Sequence, residues 1–347
     1  MRKLLFLMVV LVGLWSGYWF VGSNAVRDGV NGWFADAASQ GLVAENAGVT
    51  VAGFPNRWDL TMDGLHLADP AAAVGWTAPF VQVFAMTWKP WHIIAAFPPE
   101  QELALPDQAV SLASEGLRAS FRAKPAMDLP LAAVILETNR LTASSSAGWT
   151  VGAGRSVTAI SADEEVPGAG DAPNTYVLSL DAADVAPDPA FLESIKAVAL
   201  PDLPPSDLPA TLEQLTGSVF VTLSAPLDRH VGETKPFVTQ VRIGQVNVVW
   251  GKLALTARGQ IDADDQGFAA GEITVDITNW DRLPAVLVAT GGIKPEMAPT
   301  VVRGMQALAA QSPDLSVLSL TLKLEDGQMS FGPFPLGPAP RMTPPTG

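Results

Sequence analysis

A chain of 347 residues, 48% apolar and 16% charged, has room for two ordinary domains or for one long β structure with an anchor, and it buries much of itself in protein or lipid. Its 35 acidic and 21 basic residues leave a formal charge of −14, which argues against a nucleic-acid partner, whose phosphates need a basic face. There is no cysteine, so disulfides, thiolate metal sites, cysteine nucleophiles and an acyl-cysteine lipid anchor are excluded.

The chain begins with Arg2 and Lys3, followed by LLFLMVVLVGLWSGYWFVG, residues 4–22, a run without a charge. At ~1.5 Å rise per residue such a helix nearly spans a hydrocarbon core of about 30 Å. Leu4, Leu5, Phe6 and Leu7 lead the run, and Trp15, Tyr18, Trp19 and Phe20 form an interfacial aromatic belt at its far end. The basic pair places the N-terminus in the cytoplasm and the bulk of the chain in the periplasm, anchored in the inner membrane. The alternative is a cleaved signal peptide, with Ser23-Asn24-Ala25 as a small-x-small site and a soluble periplasmic product. The apolar run is longer than a signal core of about 7–15 residues and aromatic side chains crowd the cleavage region, which favours the uncleaved anchor.

Residues 23–44 carry Val26, Val30, Trp33, Phe34, Ala37 and Ala38 at helical spacing, predicting an amphipathic linker helix that ends near Gly41. From there the period changes to two. VTVAGFP and RWDLTMDGLHLADP alternate apolar and polar residues, with a step at Asp63-Gly64 that calls for a bulge or tight turn. Further strands are expected in PFVQVFAMTW, QELALP, AVSLAS, GLRASFRA, AVILETNRLTAS and GRSVTAISA. Residues 161–175 read as an acidic loop and a point of subdivision. Helices are expected in DPAFLESIKAV, RLPAVLVATGG and APTVVRGMQALAAQ, between the long strands of the last third. A loose repeat, a strand followed directly by a short apolar helix or corner, occurs at VFAMTW-KPWHIIAAF, LSLDAADV-DPAFLESIKAV and TVDITNW-DRLPAVLVA.

The fold class predicted is mainly β (α+β): a long curved antiparallel sheet or β-groove with a few short helices, preceded by an N-terminal transmembrane helix. Its divisions are an anchor or signal at 1–22, the linker helix at 23–44, a β-rich periplasmic domain at 45–336 and a disordered Pro-rich tail at 337–347.

Chemistry is scarce. His66, His92 and His230 are far apart in sequence, and a hydrogen-bonded structural role suits His92 best. GAGRSV, residues 152–157, lacks the last glycine of a dinucleotide loop. DADDQG, residues 262–267, starts like a calcium loop but has Ile273 where the bidentate glutamate belongs, so a hairpin turn explains it. No catalytic, cofactor-binding or metal-ligating residue is assigned, and no enzyme is expected.

The stretches GFPNRWDLTMDGLHLADP, GWTAPFVQVFAMTWKPWHIIAAFPPEQELALP and DGQMSFGPFPLGPAP resemble domain-of-unknown-function family 2125, uncharacterised bacterial envelope proteins. The resemblance implies a Gram-negative envelope protein anchored in the inner membrane, with no activity to carry over. Gly53, Phe54, Pro55, Arg57, Trp76, Pro79, Trp88, Pro90 and Pro98 carry it, with structural roles expected. KLALTARGQIDADDQGFAAGEITVDITNWDRL is similar in pattern to the strand pairs of AsmA-like envelope proteins, which implies a sheet able to hold acyl chains. The function expected is binding or passing on lipid or another hydrophobic envelope component. The alternative is a structural or assembly factor that acts through envelope protein partners.

Overall fold

The computed structural model describes residues 1–162, 174–201, 203–312, 314–331 and 334–343. It is mainly β, with antiparallel ladders, a few short helices and one long apolar helix at the N-terminus, as the sequence predicts. The chain divides into two compact units, Met1–Pro125 with Val134–Gly148, and Ala126–Ala133 with Trp149–Gly347. The subdivision expected near 161–175 falls largely on residues 163–173, which lie outside the described residues.

The first unit opens with α1 (Arg2–Ser39), 38 residues and thus about 57 Å long at ~1.5 Å per residue. The apolar run and the linker expected after it are therefore one unbroken helix. Trp19, Ser23, Phe34 and Ala37 are buried along a single stripe, with Val26 and Val30 half-buried between them, so packing overrides the weak helix propensity of Gly29 and Gly32. The helix stops where glycine predicts, with Gln40 as its cap and Gly41 at φ +85°.

Ten strands follow: β1 (Val43–Glu45), β2 (Gly48–Ala52), β3 (Arg57–Asp69), β4 (Val74–Met86), β5 (Lys89–Ala96), β6 (Glu100–Leu105), β7 (Gln108–Glu115), β8 (Arg118–Ala123), β9 (Leu131–Thr138) and β10 (Arg140–Ser145). The first three residues of β9 belong to the second unit. β3 pairs with β1, β2 and β4, and β4 continues to β5 and β6. On one face Trp58, Leu60 and Met62 of β3 oppose Ala85, Val83 and Val81 of β4; past Gly64, Leu65 and Leu67 oppose Ala78 and Trp76. The parity step expected at Asp63-Gly64 is made by Gly64 at φ +57°, a conformation costly for a residue with a Cβ. Leu65, Ala78 and Val81 form a core with Phe34 of α1.

One expectation is overturned here. KPWHIIAAF was expected as a turn or short helix, but it forms β5, joined to β4 through Thr87-Trp88. β5 has β4 on one side and β8 on the other, so its backbone is satisfied as a strand, and β-branched Ile93 and Ile94 suit that state. The strand-then-helix unit thus occurs at two of its three expected places, before α2 (Pro189–Ala197) and, through a short 3-10 turn, before the helix Leu283–Ala289.

The second unit is a meander. In chain order it holds β11 (Thr150–Ala153), β12 (Ser156–Ser161), β13 (Thr175–Val185), α2, β14 (Leu212–Leu223), α3 (Val231–Thr234), β15 (Val238–Trp250), β16 (Leu253–Ala263) and β17 (Ala269–Thr278). Then come α4 (Leu283–Ala289), α5 (Ala298–Ala309), β18 (Val317–Glu325), β19 (Gln328–Phe331) and β20 (Phe334–Pro338). From β12 onward each strand pairs antiparallel with the next. α2 is capped by Asp188, whose carboxylate accepts from the amides of Ala190 and Phe191. Asn279 at φ +52° turns the end of β17 towards α4, a conformation that Asn tolerates better than most residues.

The registers place a long series of apolar residues on one face of β13–β18. Ala182, Leu215, Val248, Leu255, Ile277 and Leu318 align across the strands, and Leu178, Val219, Ile243, Gly259, Ile273 and Leu322 align two rows on. Between these rows lies Leu180–Gly217–Val246–Ala257–Val275–Leu320, and beyond them Tyr176–Val221–Val241–Ile261–Gly271–Leu324. The opposite face carries Asp181, Thr216, Asn247, Thr256, Asp276 and Ser319 in one row. Such a two-faced sheet must cover its apolar side. α2, α4 and α5 cover one end of it, where Leu192, Ile195, Trp250, Leu253, Ile277, Trp280, Met305 and Leu318 form the main core.

Arg282 ties the segment before β14 to this core. Its guanidinium, 12% exposed, donates to both Asp207 oxygens at 2.6 and 3.1 Å and to Asp281 at 2.9 Å. These bonds, with a contribution from Lys252, hold Asp207 down from 3.8 to about 2. A depressed folded-state pKa contributes stability above the unfolded value that is lost as pH falls through the folded one. We expect Asp207→Asn to shrink the fall in Tm between about pH 4 and pH 2, as measured by thermal melts; an undiminished fall would rule this contribution out.

The tail also departs from expectation. Described residues 337–343 are ordered, not disordered: Ala339 is buried, the amide of Ala269 donates to the Pro340 carbonyl at 2.9 Å, and Arg341 lies 4.6 Å over the Phe268 ring. The hairpin turn at Asp262–Gly267, expected from its acids and glycine, supplies the other side of this contact through the Gly267 carbonyl, which accepts from Met342. Apolar Ala339 and Met342, packed with Leu324 and Met329, outweigh the tail's proline-rich composition. Residues 344–347 lie outside the described residues.

Candidate functional site

The aromatic end of α1 is fastened to the β2–β3 loop and the β4–β5 turn. Trp15 Nε1 donates to the Pro55 carbonyl at 3.0 Å, Tyr18 Oη to the Thr87 carbonyl at 2.8 Å and Trp19 Nε1 to the Arg57 carbonyl at 2.6 Å. In return Trp58 Nε1 donates to the Trp19 carbonyl at 3.4 Å. The Phe54 ring meets Trp19 edge-on at 5.4 Å and stacks on Phe20 at 5.8 Å. Close approach depends on glycine: a Cβ on Gly22 would fall within the Trp58 ring. Gly53, at φ +94°, has the Arg57 carbonyl and the Asp59 carboxylate 2.9 Å from where a Cβ would stand. Phe54-Pro55 is a cis peptide, and Arg57 pairs with Asp59 at 2.7 Å.

Two sets of residues singled out separately in the sequence therefore meet: Trp15, Tyr18, Trp19 and Phe20 on one side, and Gly53, Phe54, Pro55 and Arg57 on the other. The remaining signature residues lie elsewhere. Trp76 donates to Gln101 Oε1 at 3.1 Å, and the carbonyl of fully buried Pro98 accepts from Gln101 Nε2 at 3.4 Å. Pro79 is exposed beside Gly64, and exposed Pro90 follows the β4–β5 turn. Trp88 stands 54% exposed at the tip of that turn. Leu4, Leu5, Phe6 and Leu7 are exposed on the first half of α1.

Beyond the clamp, α1 and the sheet enclose an open cavity of about 300 Å³ lined by Val30, Trp33, Phe34, Leu60, Met62, Leu65, Leu67, Trp76, Val81 and Phe97. Every lining residue is apolar or aromatic. Its volume lies at the lower end of ligand pockets, about 300–1,000 Å³. A second groove of the first unit, about 720 Å³, is mixed in character, with His66, Thr77, Glu100, Glu102, Ser111 and Thr142 among its lining residues. His66 in this groove is engaged by Thr77 Oγ1 at 2.9 Å. His92 is hydrogen-bonded to Ser120 Oγ at 3.2 Å, and burial, then Lys89 and Arg122, lower its pKa, which fits a structural histidine. His230 lies between Asp128 and Glu233, at 3.6 and 3.7 Å. Among the described residues no three His, Asp or Glu side chains converge as a metal site would need.

In the second unit, among the described residues, the helices leave part of the apolar sheet face only partly covered. On β13–β15, Val219, Val221, Val241, Ile243 and Val246 are half-buried, Leu178 is 39% exposed, and none of them belongs to a buried core. The periodicity of the sequence signalled an apolar face but not its cover, because alternation reads the same under a helix, a ligand or water.

These features define a class, a β-rich protein led by the one helix, among the described residues, that is long and apolar enough to cross a membrane. Residues 19–340 match the family described as "Uncharacterized protein conserved in bacteria", DUF2125, and the chain belongs to that family. No curated protein and no solved structure matches it.

Proposed function

We propose that this is an inner-membrane-anchored periplasmic protein that binds or passes on lipid or another hydrophobic envelope component, and that it is not an enzyme. The observation that carries the reading is the partly covered apolar face of β13–β15, with the apolar cavity beside α1 as its counterpart in the first unit. Apolar surface of this extent stabilises an acyl chain at ~25 cal/mol per Å² removed from water. The aromatic clamp supports retention of the anchor, since cleavage after Ala25 would remove every α1 residue that makes it. The intact mass of the purified protein tests this: a chain beginning at Val26 would overturn retention.

Lipid extracted from the gently purified full chain, and native mass spectrometry of the same sample, test the binding reading. Val219→Asp places a carboxylate on the apolar face, and we expect it to reduce retained lipid by about tenfold, equivalent to ~1.4 kcal/mol. Consistent absence of lipid from the folded wild-type chain would sink the reading. So would a Val219→Asp chain that retains lipid at wild-type level. In-cell crosslinking that yields a stoichiometric protein partner, with no lipid bound, would favour an assembly factor instead.

A further inference from the structure

We infer that the β4–β5 turn and the adjoining Phe54 loop insert into the periplasmic leaflet of the membrane that α1 crosses, so that one end of the first unit's sheet stands within the lipid. The inference rests on the anchored reading above and adds a second point of membrane contact to it. Its first support is length. With α1 rising ~1.5 Å per residue, Trp15 stands about 18 Å and Trp19 about 24 Å along the helix from Lys3, against a hydrocarbon core of about 30 Å. The Pro55, Arg57 and Thr87 carbonyls are held by hydrogen bonds to Trp15, Trp19 and Tyr18, so they lie short of the far boundary. Helix tilt would lower them further.

The second support is chemistry. Irregular backbone survives at membrane depth only where its polar groups find partners. Here the Pro55 loop carbonyl, the Thr87 turn carbonyl and the Arg57 carbonyl at the start of β3 receive indole or phenol donors from α1 itself. Three large apolar side chains stand outward at this end, Phe54 53%, Met86 41% and Trp88 54% exposed, beside the exposed Asn56 and Arg57. Charge fits as well. Residues 52–59, 84–92 and 120–125 carry Arg57, Lys89, Arg122 and Lys124 against a single acid, Asp59, in a chain of formal charge −14. Cations behind an apolar tip suit the phosphate layer of a bilayer, with their long stems snorkelling outward.

The cysteine-free sequence allows a direct test. Single cysteines at Met86 and Trp88, labelled with an environment-sensitive fluorophore, are compared in the full chain reconstituted into phosphatidylcholine–phosphatidylglycerol vesicles with and without doxyl-labelled lipid. Leu7→Cys reports the anchor, and Asp107→Cys, in the exposed β6–β7 turn, reports solvent. The expected result is blue-shifted emission at Met86→Cys and Trp88→Cys, with loss to quencher close to that of Leu7→Cys. If both behave like Asp107→Cys while Leu7→Cys is quenched, the tip inference is overturned and the anchor stands. If Leu7→Cys is not quenched either, the anchored reading falls and the tip inference with it.

Discussion

Trp19→Ala is expected to release α1 from the sheet and to destabilise the first unit by about 3–5 kcal/mol, the range for removing a buried tryptophan. Trp19 is 6% exposed, donates to the Arg57 carbonyl and packs edge-on against Phe20 and Phe54. Its removal takes the ring contacts and leaves that carbonyl without its indole donor. Trp19→Phe separates the two effects, since it keeps most of the ring while losing the donor, and should cost about 1–3 kcal/mol. Hydrogen exchange at the amides of Arg57 and Thr87, which are bonded to the Gly53 and Asn56 carbonyls, reads the result locally. Unchanged exchange there in the alanine variant would show that the clamp does not hold the loop.

In the second unit the largest effect is expected at Ile277. It is 1% exposed, aligned between Leu255 and Leu318, and lies in the core that α2, α4 and α5 complete. Ile277→Ala removes methyl groups from a site closed on the sheet side by its strand neighbours and on the other by helices, so the cavity cannot collapse easily. The expected cost is about 2–5 kcal/mol, against about 0.5–1.5 kcal/mol for Ile277→Val. Urea denaturation followed by tryptophan fluorescence measures both, because Trp250 and Trp280 belong to the same core. An alanine variant no worse than the valine one would mean that this end of the sheet is loosely packed. The contrast with Val219 is instructive. Both residues face the apolar side, but Val219 belongs to no buried core, so a polar substitution there is expected to be felt in lipid retention more than in folding.

Local signals determined a good deal of this protein. The uncharged run from Leu4 to Gly22, the period-two alternation around Trp58–Leu67, the glycine step at Gly64 and the hairpin chemistry of Asp262–Gly267 each depend on neighbours within a few residues. They were legible for that reason, and they gave the mainly β class, the leading helix and most of the strands. KPWHIIAAF and the tail were misread for the opposite reason. A strand between β4 and β8, and an ordered segment packed on the Asp262–Gly267 turn, owe their state to partners distant in sequence.

The candidate site was legible only in parts. The aromatic residues of α1 and the Gly53–Arg57 signature were each visible, but no periodicity says that Trp15, Trp19 and Tyr18 donate to the Pro55, Arg57 and Thr87 carbonyls across 38 to 69 positions of chain. The apolar face of β13–β18 was likewise visible strand by strand. Which of its rows the helices cover depends on where α2, α4 and α5 dock, and that is a matter of tertiary packing. Sequence set what each segment must bury, because side-chain hydrophobicity and backbone preference are local properties. The tertiary structure alone decided what stayed uncovered, because cover comes from elements far apart in the chain.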